Sequence, residues 1–487
     1  MKNSFLSYSK KQIQSVFKNL YSNKVVLMFL ILCVFGILTT GKPLNYTVTE
    51  VFTRFGRNTF LVLALIIPVL AGLGLNFGIV VGAMAAQIAI FFVVYWGFSG
   101  IGGLLLCFVI STPIAIFFGL LVGLLYNKTK GAEMITGMVL AYFADGIYQF
   151  LFLFVLGGVI PIYNTSLMIA GGVGVKNTID LNGILKYSLD NVSMLLLLRI
   201  LLTLYFLICI GNVLLRRKKG ITSDVKLLLG KIICIPFIFG ITFIPIISDF
   251  LGTDRLILLD AITIACIVVI VYALVEIFTI KIILKHGNSK INRFIAMMIV
   301  AILVYALTYV PTIYSITLSI SLPVCTYGAI LFICGFNRWL LSTKLGQNMR
   351  TVGQSRTVAN SAGINVNKTR IIAMCISTVL ASWGQLIYLQ NLGTFSTYGA
   401  HSMVGQYAIA ALLVGGASVQ AANNKQALLG VILFHTLFVV APLSASNLFG
   451  SSLIGEYFRV FICYGVIALS LAMHAWKSVK KPQRVKA

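Results

Sequence analysis

Charge is what this 487-residue chain most lacks. Only 10% of its residues are charged, where a soluble domain carries roughly a quarter. Acidic groups are scarcer still, 11 against 37 Lys and Arg. With 59% hydrophobic residues and a mean hydropathy of +1.00, no water-soluble fold hides the apolar surface, because surface grows almost as fast as volume. Cysteine pairs are missing too. The nine cysteines stand singly, mostly inside apolar runs (Cys33, Cys107, Cys209, Cys266, Cys463), which excludes a disulfide framework and a zinc site. His286, His401, His435 and His474 show no metal spacing and no nucleophile partner, and no paired carboxylates occur, so no hydrolase or oxidoreductase constellation emerges. Nor is there a G-x-x-x-x-G-K-[ST] loop; Gly230-Lys231 sits in an apolar run without the earlier glycine. The chain binds no nucleotide phosphates by that device.

What is present is a succession of apolar runs. A helix needs about 20 apolar residues to cross the hydrocarbon core, and that rule marks about 14 spans: 25–40, 58–73, 77–96, 101–126, 132–160, 194–215, 227–247, 256–280, 293–313, 316–336, 371–390, 403–420, 427–445 and 453–476. The fold class is all-α, a polytopic transmembrane helical bundle. Lysines 2, 10, 11, 18 and 24 precede the first run, and no A-x-A-like cleavage site follows it, so it reads as a retained span. With the N-terminus inside, every even-numbered span should end in a basic inner loop. The loops at Asn127–Lys130, 216–219, 281–293 and 337–370 are basic, as is the tail with Lys477, Lys480, Lys481, Arg484 and Lys486. Both termini are therefore expected on the cytoplasmic side. The exception is 41–57, where Lys42, Arg54 and Arg57 outweigh Glu50 on the outside. The net charge of +26 points to anionic lipid as first partner, not to nucleic acid.

Three stretches break the apolar rule, and function concentrates where it breaks. Gly72-Leu-Gly-Leu-Asn-Phe-Gly78 separates two short spans. Segment 161–193 is an outer loop long enough for an interfacial helix. Segment 337–370 is the one long polar stretch inside. Within it, Ser355 to Ala362 can form a short surface helix, with Gly363 taking the left-handed position after it and Ile364 and Val366 tacking its end to the next span.

This inner loop resembles the coupling region of the permeases of ribose- and galactose-type ABC importers, within the branched-chain permease superfamily. Gly346, Gly353, Ala359, Gly363, Ile364, Asn365 and Val366 stand in the register of that pattern, followed by Ser377, Ala381 and Gly384 in the next span. The resemblance extends to Leu413-Val-Gly-Gly-Ala-Ser418 and, more weakly, to Gly72–Gln87. It covers about two thirds of the chain and leaves 162–315 without a counterpart. It implies one permease domain over 1–487, of the type II importer kind, with a core of about ten spans and about four more in an insertion at 162–315. It also implies a coupling loop at 337–370. Departures occur at Ser355, at Ser382 and at Gln420-Ala-Ala-Asn-Asn424, as in a diverged permease paired with a non-identical second one.

The resemblance assigns ATPase coupling to Gly346, Arg350, Gly353, Arg356, Ala359, Gly363 and Ile364. ATP and magnesium would be held by a separate cytoplasmic subunit, leaving this chain without cofactor or enzymatic activity. An extracytoplasmic solute-binding protein would complete a bacterial inner-membrane importer. Its solute would be small and hydrophilic, a simple sugar first, with nucleosides or a riboflavin-like compound as alternatives. For a translocation path, polar groups inside apolar spans are the candidates, each being costly in lipid. Tyr142, Asp145 and Gln149 recur at i, i+3 and i+7 on one helix. Asn76 and, three turns on, Gln87 follow the first glycine break, and Ser418 lies in a second one. A secondary transporter driven by an ion gradient is the rival class, with Asp145 as its central carboxylate.

Overall fold

A computed structural model of the chain describes residues 24–129, 131–164, 166–170, 172–190, 193–218, 232, 235–252, 256–279 and 289–479. The N-terminal lysines 2–18, Lys130, Lys219, His286, the basic stretch 281–288, the tail residues 480–486 and the start of the expected span 227–247 lie outside them. Contacts divide the chain into two compact units, residues 1–189 with 326–487, and residues 190–325. Almost all regular structure is helical, so the protein is an all-α polytopic membrane protein. Among the described residues seven helices are long and apolar enough to cross a bilayer, or eight if one bent pair is a single span, and five shorter apolar helices accompany them.

The first unit opens with α1 (Lys24–Thr39), α2 (Leu44–Ala64), the short α3 (Ile66–Leu70), α4 (Ile79–Tyr95), α5 (Gly100–Lys128) and α6 (Glu133–Phe150). It resumes with α12 (Val324–Ser342), the short helices α13 (Lys344–Gln354) and α14 (Arg356–Ser361), α15 (Val366–Leu392), α16 (Ala400–Val414), α17 (Asn424–Phe449) and α18 (Ser452–Val479). Helix α15 is its axle. Ser377 and Thr378, both fully buried, donate to the carbonyls of Ala64 (3.2 Å) and Ala115 (2.9 Å). Gly82 of α4 and Gly119 of α5 face this same turn so closely that a Cβ on either would strike Thr378 or Cys375. Small residues and hydroxyls are how helices approach in lipid, where apolar burial alone gives no preference for a neighbour helix over a lipid tail.

Helix α2 breaks at Leu65, and the freed carbonyls are met by side chains: Ser377 takes Ala64, and Asn337 donates to Leu63 at 3.1 Å. Such breaks persist at membrane depth only when protein satisfies the backbone. Gly72 and Gly74 then both sit at φ +71, which lets the chain double back into α4. The expected outer loop 161–193 contains no helix among its described residues. Instead β1 (Thr178–Asp180) pairs antiparallel with β4 (Thr394–Ser396), and Leu167, Val175, Ile179, Leu181 and Leu185 are buried. These inward-facing residues hold the segment in the first unit.

The second unit holds α7 (Met194–Lys218), α8 (Pro245–Leu251), α9 (Leu258–Thr279), α10 (Ser289–Leu307) and α11 (Pro311–Ser319). Two short strands, β2 (Leu256–Ile257) and β3 (Ser321–Leu322), pair within it. The expected span 293–313 ends at Leu307 and turns by 88° into α11. Pro311 is the cause: it has no N–H to continue a helix and stands at the first position of the next one.

Candidate functional site

Two polar assemblies occupy the first unit. One is built at the end where α13 and α14 lie. Thr343 caps α13 by accepting from Gly346 N (3.3 Å), Ser355 caps α14 by accepting from Val358 N (3.3 Å), and Asn365 caps α15 by accepting from Lys368 N (3.0 Å). Each such cap contributes about 1 kcal/mol. The end of α14 closes on Gly363 at φ +75, with Ile364 N bonded to Ala359 O at 2.9 Å. Ala359, Val352 and Val366 form a small separate core with Ile364 beside them. Gly346 and Gly353 are required by contact. A Cβ on Gly346 would meet the Leu340 carbonyl, and one on Gly353 the Leu70 carbonyl.

The glycine break lies under this loop: a Cβ on Gly72 would stand 2.8 Å from Gly353 Cα, and one on Gly74 would stand 3.4 Å from Val419. The glycine break 72–78, the inner loop at 344–363 and the second break at 415–420 therefore come together. Beside them a cleft of about 760 Å³ is lined by Arg338, Arg350, Lys425, Asn423, Asn424 and Gln354, among others, with no carboxylate. Ser418 belongs here. Its hydroxyl accepts from Gln420 N and Ala421 N, folding its own loop. It does not meet the other expected path residues.

An ion cluster ties the loop to the helices. Arg356 and the fully buried Arg370 both bond Oε1 of Glu133, the latter at 2.6 Å, while Oε2 accepts from Gly131 N at 3.1 Å. Neither Glu133 nor Arg370 was singled out by sequence. The signal was weak: an acid at a helix start suits the helix dipole, and a base at the inner end of a span suits the positive-inside pattern.

The second assembly lies between α4, α6 and α16. His401 is fully buried, with Nε2 2.7 Å from Asp145 Oδ1 and Nδ1 2.8 Å from Gln87 Oε1. Gln149 donates to Asp145 Oδ2 at 3.1 Å, and the Tyr148 ring lies 4.9 Å from the imidazole. A carboxylate on one nitrogen and an amide on the other set the proton demand. An imidazolium meets it outright; a neutral ring meets it with the Gln87 amide turned to donate. The chain Gln87–His401–Asp145–Gln149 joins three helices, and the Asp145 side chain remains 24% exposed. Sequence flagged three of its four members and passed over His401.

Two expected path residues stand elsewhere. Tyr142 is 69% exposed. The buried residues of α6 are Glu133, Gly137 and Tyr148; Asp145 and Gln149 are half-buried on the flank that Tyr142 continues outward, a correction to the i, i+3, i+7 grouping. Asn76 is fully buried and bonded on every side, donating to Met374 Sδ (3.3 Å) and Ser377 (3.4 Å) and accepting from Tyr126 (3.4 Å). It joins α4's entry to α5 and α15. No group of three or more His, Cys, Asp or Glu able to hold a metal exists among the described residues.

With this geometry in place the comparisons are informative. The family described as branched-chain amino acid transport system, permease component, matches residues 229–473, half of the chain. The matched stretch begins within the second unit and runs through both short helices, α15, α16 and α17. The autoinducer 2 import system permease protein LsrC of Enterobacter sp. (strain 638) is 33% identical over 92 residues, 19% of this chain and 26% of that protein. The match thus spans about a quarter of that relative's length. No solved structure matches the chain.

Proposed function

We propose, from the premise that this chain belongs to the branched-chain amino acid transport system permease family, that it is the membrane-spanning subunit of an ATP-driven importer of a small hydrophilic solute. One observation carries the reading. The long polar loop expected on the inside folds into two capped helices, α13 and α14, whose buried Ala359 and left-handed Gly363 dock them on the base of α15. A rigid knob seated on transmembrane helices is what a nucleotide-driven partner needs to grip. The residues Gly346, Arg350, Gly353, Arg356, Ala359, Gly363 and Ile364 build or present that knob, and the cationic cleft beside it completes the surface offered to the ATPase. ATP and magnesium then belong to that partner, and a second permease and an extracytoplasmic binding protein complete the assembly in a bacterial inner membrane, with both termini of this chain cytoplasmic. A simple sugar is the favoured solute, on the resemblance of the inner loop to ribose- and galactose-type permeases; nucleosides and riboflavin-like compounds are the alternatives.

One observation favours a different class. The half-buried Asp145 paired with the buried His401 is the kind of group an ion-driven secondary transporter uses as a relay. Proteoliposomes separate the two. The chain, purified with the ATPase that accompanies it, should take up labelled ribose, galactose, uridine or riboflavin only with Mg-ATP inside the partner's reach, and ionophores should leave uptake unchanged. Uptake abolished by ionophores and indifferent to ATP would overturn the importer reading in favour of the second.

A further inference from the structure

Helix α14 has covalent neighbours on both sides, α13 and α15, so its movement reaches α15 through four residues of chain. Helix α6 is different. It begins at Glu133 and is connected in sequence to α5 and to the outer segment, not to the loop. Among the described residues, the bond from Arg356 to Glu133 is the one side-chain hydrogen bond by which α14 holds a helix that is not its chain neighbour. The same carboxylate oxygen holds Arg370 of α15. Arg370 is fully buried, and its Nε and Nη1 have no partner, so Glu133 is its sole compensating anion among the described residues. A buried guanidinium cannot release that anion cheaply. Glu133 is therefore pinned to α15, while Arg356, a third exposed, reaches in from the knob to the same atom.

Twelve residues after Glu133, about 18 Å along a regular helix, α6 carries Asp145, which grips His401 of α16. No glycine kink or proline interrupts Glu133–Phe150 as an α-helix. A displacement applied at Glu133 arrives at Asp145.

We infer that Glu133 is a positioning residue that binds the α14 knob, α15 and α6 into one moving body through Arg356 and Arg370, so that movement of the knob is delivered to the Asp145–His401 contact. The inference rests on the reading of α13 and α14 as the coupling element. It adds the route by which coupling reaches the membrane interior, and Asp145 is its end.

The test needs no knowledge of the solute. In the assembled complex, Gln149→Cys places a thiol beside Asp145, and its modification by N-ethylmaleimide is followed by mass spectrometry of the peptide that contains it. Rates are compared without nucleotide and after trapping with Mg-ATP and vanadate. With the link intact the two rates should differ by about fivefold or more, the low end of an energetic coupling between sites. Arg356→Gln and Glu133→Gln should bring the two rates together while vanadate trapping of nucleotide is retained, and Arg356→Lys should restore the difference. Arg356 lies at the surface, so its variant remains informative if Glu133→Gln does not assemble. A nucleotide-dependent rate that persists in Arg356→Gln, or is absent with the link intact, overturns the inference. Ala359→Glu separates the two levels of failure. If it too leaves the rate change intact, the knob is not the coupling element and the underlying reading fails. If it abolishes the change and Arg356→Gln does not, the route alone is wrong.

Discussion

The two polar assemblies of the first unit are built by opposite means. At the loop end, the caps, the left-handed turn and the small core are local in sequence. Thr343, Ser355 and Asn365 cap three consecutive helices, Gly363 closes the second, and Val352, Ala359 and Val366 make a core from residues within one short stretch. Between α4, α6 and α16 the contacts that join the helices are remote: His401 is 314 residues from Gln87 and 256 from Asp145. A local assembly forms as its helices form. A remote one exists only after the membrane helices have packed, and it reports on that packing. The first is therefore suited to be a rigid handle and the second to be a contact that changes.

The largest expected effect comes from breaking the handle's seat. In Gly353→Ala the new Cβ falls on the Leu70 carbonyl and crowds Gly72. The obstacle is backbone on both sides, which cannot rotate away, so the cost sits at the top of the overpacking range, about 3 kcal/mol. Detachment of α13 from α3 should abolish ATP-driven uptake, and limited proteolysis should cut the 344–363 segment in Gly353→Ala but not in the parent protein. Resistance equal to the parent's would show that the seat tolerates the methyl group and that the handle is looser than its packing indicates.

A smaller effect is expected at the remote assembly. Asp145→Ala leaves the buried His401 without its carboxylate. Breaking a fully buried pair costs about 3–5 kcal/mol, but solvent reaches Asp145, so a loss of about 2 kcal/mol in the stability of the detergent-purified protein is the better figure. Asp145→Asn keeps the shape and a hydrogen bond and should lose about 1 kcal/mol or less. The pair of variants sharpens the comparison. A contact that only clamps helices loses assembly in Ala and keeps full uptake in Asn. A contact that changes during transport keeps assembly in Asn and loses uptake. Normal uptake and normal assembly in both would remove this chain of residues from the mechanism.

What sequence revealed follows the same division. The short helix at 356–361 and the left-handed Gly363 were legible because each is decided by residues a few positions apart. The glycine break at 72–78 was legible as an interruption, but not its burial against Gly353, which requires α13 to fold back. Gln87, Asp145 and Gln149 stood out as polar groups in apolar runs. His401 did not, because it was weighed against metal and nucleophile spacings rather than as a second ionisable group needing a membrane partner. Glu133 was hidden for a plainer reason: an acid opening a helix satisfies the helix dipole and invites no further question. The boundary at 162 was drawn where the family resemblance finds no counterpart, and the compact second unit runs over 190–325. The intervening segment alternates exposed with buried residues across β1 and its turns, a pattern too short to register against helix-length windows.

The smallest effect, and the one that most directly divides the two ways of finding a site, belongs to Tyr142. By spacing it shares a face with Asp145 and Gln149; in the folded unit it is 69% exposed, while its neighbours three and seven positions on are half-buried beside His401. A helix turns 100° per residue, so positions i and i+7 differ by 20° and i and i+3 by 60°. Position 142 stands about 120° from the buried Tyr148 and so lies outside the face that packs on His401. With its ring facing outward, Tyr142→Phe removes a hydroxyl that bonds nothing recorded in the structure, and Tyr142→Ala removes apolar surface that folding does not bury. Both should leave stability within about 0.5 kcal/mol of the parent and uptake unchanged, measured in the same proteoliposomes as the Asp145 variants. A loss of uptake in Tyr142→Phe comparable to that in Asp145→Asn would place the hydroxyl in the path after all. It would then mean that α6 rotates during transport to bring this side inward, and that the contact held by His401 is one of two positions the helix occupies.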